Sequence, residues 1–104
     1  MKQAADILDA MEEELRRLGL WGGPALRPAP QAFASQTPFF LDTMQLHEWL
    51  EYVLIPRLRL MLDRGQALPG RLLILPLAEE LWRNQMTERS RLLQLLGQLE
   101  HYYA

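Results

Sequence analysis

Ala4, Ile7, Leu8, Met11, Leu15 and Leu18 recur three or four positions apart, which places them on one stripe of a helix over about residues 3–18. Its back is polar, with Glu12–Arg16 and Glu13–Arg17 spaced as favourable four-apart pairs, and Gly19 supplies the stop. Residues 19–38, GLWGGPALRPAPQAFASQTP, hold three glycines and four prolines and predict an irregular connection. Leu20, Trp21, Leu26 and Phe33 are too apolar for a free linker, so the pattern predicts that they pin this segment to the helices. A short helical turn is expected near Gln31–Ser35.

The second helix follows a start signal: Asp42 as N-cap, Gln45 in the capping-box position, and Leu41 with Leu46 as a hydrophobic staple. At about 100° per residue, Leu46, Trp49, Leu50, Val53 and Leu54 share one wide face opposite Glu48 and Glu51. Pro56 interrupts the pattern. An unbroken helix would carry Arg57 onto the buried face and Ile55, Leu58 and Leu62 onto the polar one. A kink or restart at Pro56 re-aims Leu58, Met61 and Leu62 at the core and frees Arg57 toward water, with Gly65 ending the helix.

Beyond the turn QALPG, the run Leu72–Leu75 leads into Pro76, well placed to open a short helix carrying Leu77, Leu81 and Trp82. A last helix from about Thr87 to Tyr102 is lined by Leu92, Leu95, Leu96 and Leu99, with Gly97 permitting close helix approach. The expectation is an all-α fold, a small helical bundle of about four main helices with a Pro-kinked or Pro-broken second helix, in one domain over 1–104.

Composition supports this reading. Leucine occurs 23 times, against four for valine and isoleucine together, so β-branched strand formers are nearly absent. A length of 104 residues suffices for one modest core without disulfides or metal, and the chain has no cysteine. The acidic start of the chain does not read as a signal peptide, and no apolar run approaches the ~20 residues of a membrane span, so a soluble, cytoplasmic protein is expected. Residues 1–52 carry four basic and eight acidic side chains, residues 53–104 seven and five.

Chemistry is sparse in the pattern. In HEWLE, His47 and Glu51 stand one turn apart, but glutamate replaces the second histidine of a zinc-protease helix and no third ligand is specified. Adjacent Glu79 and Glu80 point about 100° apart and do not face each other as an acid–base pair must, although one of them can accept an arginine such as Arg57. No catalytic residue, metal site or cofactor is specified, and an enzyme is disfavoured.

The segment PFFLDTMQLHEWLEYVLIPRL, with a leading helix ending in LRRLGLW and a following LPLAEELW, resembles the YqcC-like proteins (DUF446), a bacterial family of unknown function. The resemblance runs over nearly the whole chain and rests on Pro38-Phe39, Asp42-Thr43-Met44, Trp49-Leu50 and Ile55-Pro56-Arg57. The chain departs from the family at Leu46, where an aromatic is common, and at Glu48 and Glu51, where glutamine is common. The resemblance implies a small all-α bundle and, because members occur beside a tRNA pseudouridine synthase, a tRNA-modification context. The aspartate-centred motif of such a synthase is missing here.

Two functional readings follow. The first is an accessory domain that binds a protein partner, or a second copy of itself, through a surplus of apolar positions: Phe39, Phe40, Tyr52, Ile55, Leu58 and Leu60 around Arg57, with Glu79 and Glu80 as further contact residues. The second, less favoured, is RNA binding through Arg57, Arg59, Arg64, Arg71, Arg83, Arg89 and Arg91, which requires several of them to share one surface. No membrane partner is expected.

Overall fold

The computed structural model describes residues 3–68 and 70–104, so of the QALPG turn Pro69 lies outside the described residues. Among the described residues there are helices and no strands: α1 (Ala4–Arg17), α2 (Leu46–Trp49), α3 (Ile55–Asp63), α4 (Leu75–Leu81) and α5 (Ser90–Tyr102). Short 3-10 turns at Pro24–Leu26, Pro30–Ala34 and Pro38–Phe40 each start on a proline, whose fixed φ suits a first helical position. The Pro30–Ala34 turn is the one expected near Gln31.

Helix α1 packs along α5 and against α3, while α4 packs on α5. Between them lies a leucine-rich core that includes Ile7, Leu8, Met11, Leu15, Leu50, Leu58, Leu92, Leu95, Leu96 and Leu99. Burial of each such side chain is worth about 1.5–3 kcal/mol, and this is the main force assembling the bundle. Arg59 adds a tie between helices, reaching Asp9 and Glu12 of α1 at 3.1 Å each. Of the two four-apart pairs, Glu12–Arg16 forms at 2.9 Å, whereas Arg17 turns to Glu14 instead of Glu13.

The break at Pro56 takes a specific form. Helices α2 and α3 are joined by a π-helical turn, Leu50–Leu54, and the backbone stays right-handed helical from Trp49 through Ile55. The Ile55 N–H donates to Leu50 O, five residues back. Pro56 has no N–H to offer and its ring presses on the preceding turn, so a wider turn just upstream relieves both problems. One extra residue in the turn also shifts the phase by about 100°. In an unbroken α-helix Arg57, seven positions past Leu50, would return to the core face; after the shift Leu58 takes that place. Leu58 and Ile55 are accordingly buried and Arg57 exposed. The rod neither stops nor restarts. It is re-phased.

Other boundaries moved. Helix α2 begins at Leu46 with Gln45 as N-cap and Glu48 completing the capping box, its Oε1 accepting the Gln45 N–H at 2.9 Å. Asp42 is not the cap; it accepts a hydrogen bond from Ser35 Oγ and so braces the preceding loop. Pro76 does open α4, as its position predicts, while α5 starts at Ser90 rather than Thr87. Leu26, expected to pin the connection, is 71% exposed, and Leu81 of α4 is 45% exposed.

Candidate functional site

Glu51 looks like a solvated acid on a helical wheel, yet it is only 4% exposed. The π turn carries it inward, where its two carboxylate oxygens accept the N–H groups of Gly22 and Gly23 at 2.8 and 2.7 Å. Tyr52 next to it donates its hydroxyl to Gly23 O at 2.7 Å. The long connection is thus latched to the second helix by backbone groups, and only glycine fits at position 22, where a Cβ would stand 2.5 Å from Tyr52 Oη and 2.8 Å from Leu26 Cβ. Burial raises the Tyr52 pKa above the ordinary phenol value, and the Glu51 charge adds to it.

Glu100 does the same at the other end. From α5 it accepts the N–H groups of Ile74 and, at 2.6 Å, Leu75, so it caps α4. Both glutamates are positioning groups for backbone. Their oxygens face amides that would otherwise be orphaned at a turn and at a helix start.

The latched connection delivers the segment Thr37–Met44 to the surface beside α4. Phe39 and Phe40 both adopt left-handed backbone, φ 57° and 52°, a conformation that costs about 1–2 kcal/mol per non-glycine residue. The strain is held by an edge-to-face contact of Phe39 with Trp49, ring centres 5.0 Å apart, and by the Thr43 hydroxyl donating to Ala32 O at 2.8 Å. Persisting strain of this kind is a feature of binding surfaces. Just beyond the strained pair lies a cleft of about 330 Å³ between Leu41, Met44, Gln45 and Leu46 on one side and Leu81, Trp82 and Gln85 on the other, with Arg89, 5.0 Å over the Trp82 ring, also lining it. Leu41 and Leu81 are exposed along it, and exposed Met86 lies just beyond Gln85. Leucines and Trp82 interleaved with Gln45 and Gln85, and one cation, fit a peptide surface of mixed apolar and polar character carrying an acid.

His47 flanks this region. It is half-buried, and its Nδ1 is enclosed without a hydrogen-bond partner. Burial pushes its pKa below the ordinary histidine value; Glu48 and Glu51 oppose that and Arg89 reinforces it. Glu51, its supposed co-ligand, has both oxygens committed to glycine amides. Among the described residues no three histidine, aspartate or glutamate side chains gather as metal ligands do.

The contact residues expected from the pattern do not form one surface. Leu58 is wholly buried and Ile55 nearly so, because the phase shift turns them to the core. Tyr52 is occupied with Gly23, and Phe39 and Phe40 are half-buried in the strained segment. Arg57 is exposed and among the described residues forms no ion pair with Glu79 or Glu80, which are themselves exposed, with Glu80 in an ion pair to Arg83 at 3.4 Å. Nor do the seven arginines share a face, since Arg59 reaches α1, Arg83 pairs with Glu80 and Arg89 covers Trp82. The cleft itself had no local signal in the sequence: Leu41 and Leu81 are 40 positions apart and neither breaks a pattern.

A family model described as DUF446, tRNA pseudouridine synthase C, matches residues 3–102. An uncharacterized protein of Haemophilus influenzae is 39% identical over 97 residues, covering 93% of this chain and 86% of that one. The uncharacterized protein YqcC of Escherichia coli is 38% identical over 97 residues, covering 93% and 87%. The solution NMR structure of that E. coli protein aligns with a TM-score of 0.84 at 37% identity, over 97% of this chain and 85% of the other. A Pectobacterium carotovorum protein named tRNA pseudouridine synthase C is 33% identical over 89 residues, which are 86% of this chain and 23% of that protein.

Proposed function

Since the chain belongs to the YqcC-like family, DUF446, we propose that it is a non-enzymatic accessory domain of tRNA modification that docks a pseudouridine synthase in the cytoplasm through the Leu41–Leu81 cleft. The observation that carries this reading is the Pectobacterium protein, in which a segment like this chain occupies about a quarter of a polypeptide named as the synthase. Two units joined in one polypeptide in one organism are held at high effective concentration; as separate chains they need a surface to meet on. The strained Phe39–Phe40 segment and the exposed leucines of the cleft supply one. No helix of the described residues is long and apolar enough to cross a membrane, which accords with action on a soluble partner.

The test is genetic and chemical. Removal of this chain from its host is expected to lower pseudouridine at the tRNA position served by the synthase, and the purified chain alone is expected to form none. Unchanged pseudouridine in the deleted strain, or isomerisation by the chain alone, would overturn the reading.

A further inference from the structure

The arginines sort themselves by what they touch. Four have carboxylate partners: Arg16 with Glu12, Arg17 with Glu14, Arg59 with Asp9 and Glu12, and Arg83 with Glu80. Three more are held otherwise: Arg27 lies 4.4 Å over the Phe33 ring, Arg89 over Trp82, and Arg91 donates to Gln94. The remaining three, Arg57, Arg64 and Arg71, have neither a carboxylate, a ring nor an amide partner among the described residues.

These three fall in one place. Arg57 and Arg71 line a single cleft of about 540 Å³ whose floor is Met61, Leu68 and Leu72. Arg64 does not line that cleft; as the α3 C-cap, seven positions and about two turns past Arg57, it falls on the same side of the helix beyond Met61. Arg71 and Leu72 also border a second cleft of about 290 Å³ that reaches His101 on α5, so the two depressions adjoin. The carboxylates nearby do not neutralise them. Glu100, in the second cleft, turns one carboxylate oxygen to the Ile74 and Leu75 amides, Asp63 lies about 120° around α3 from Arg57, and neither forms an ion pair with the three arginines among the described residues. Arginines in a chain of net charge −2 usually find acids; three that do not, around one elongated depression, form a positive track.

We propose that the Arg57–Arg71 cleft, with Arg64 further along α3 on the same side, binds the phosphate backbone of an RNA strand. Guanidinium forks match phosphate oxygens bidentately, and the apolar floor between Arg57 and Arg71 accepts the flat face of a ribose or base. This rests on the tRNA-modification reading: the docking cleft beside Leu81 holds the synthase, and the arginine track holds the RNA that the synthase acts on.

Binding of an unmodified tRNA transcript, followed by fluorescence anisotropy across a salt series, tests it. The expected result is salt-dependent binding with a slope of log K on log salt near −2, as for about three phosphate contacts on single strands. The triple variant Arg57→Ala, Arg64→Ala, Arg71→Ala is expected to bind at least tenfold more weakly, while Arg83→Ala binds as the parent does. Circular dichroism keeps a folding defect apart from a binding one. No binding at low ionic strength, or equal binding by the triple variant, overturns the inference. If the triple variant still captures the synthase but RNA binding was never present, the inference fails and the docking reading stands. If synthase capture alone is lost, the track faces an acidic protein surface and the RNA assignment is wrong.

Discussion

The carboxylate of Glu51 accepts the backbone N–H of Gly22 at 2.8 Å across 29 positions of chain. With the second bond to Gly23, this one side chain fixes the path of the whole connection between α1 and α2. Removing it leaves the two half-buried amides without their partner, at up to about 1–3 kcal/mol each. Glu51→Ala is therefore expected to lower the unfolding free energy by about 2 kcal/mol or more, read as a drop in the urea midpoint at unchanged slope. Glu51→Gln should fall between, since its amide offers one acceptor oxygen and turns an N–H₂ toward the second glycine.

Stability should fall with acid in two stages. The His47 pKa is depressed by burial, so the unfolded chain binds the extra proton first and stability declines as pH drops through the ordinary histidine range toward the lowered folded value. His47→Gln is expected to flatten this stage. Glu14 is lowered chiefly by its hydrogen bond to Arg17, against a burial cost. Glu12 pays a burial cost that Arg16 and Arg59 more than offset, so it is lowered as well. Both contribute stability that is fully present above the ordinary carboxylate pKa and is lost as pH falls through their lower folded values. Chemical denaturation at pH 7, 5 and 3 separates the stages; a pH-independent midpoint would contradict the assignment.

The π turn and Pro56 act as a pair. Deleting Val53 turns Leu50–Leu54 into an ordinary α turn while the residues on either side keep their rotation, but it then seats the Pro56 ring against a carbonyl in α geometry, at ~3 kcal/mol or more. The deletion alone is expected to be strongly destabilising, and Pro56→Ala in the same chain to recover most of the loss. A double variant no more stable than the deletion would mean that the turn does not set the phase of α3.

That turn also marks what the sequence could and could not disclose. The misfit of Arg57 with the leucine stripe was visible as a period error, and so the phase shift was legible; its form was not, because a kink, a restart and a wider turn all repair the same periodicity. Helices α1 and α5 were legible from their stripes, and Pro76 from its first-turn preference. Glu51 was misread for a definite reason: a wheel drawn at 100° per residue does not hold inside a π turn, and the partners of its carboxylate are backbone amides, which leave no trace in composition. Asp42 and Gln45 compete for the same capping role, and Ser35, seven positions upstream, draws Asp42 away. Leu58 is buried, as the re-phasing at Pro56 predicts, and so does not belong with the surplus apolar positions around Arg57. The cleft and the arginine track are tertiary: each joins segments that no local rule connects.

Titration calorimetry of this chain against the host's pseudouridine synthase is the most direct check on the docking reading. The account predicts saturable one-to-one binding that is lost in Leu41→Asp, Leu81→Asp, a variant whose changed side chains are both solvent-exposed and whose thermal unfolding should match the parent. Absence of binding by the parent chain, or undiminished binding by that variant, would contradict it.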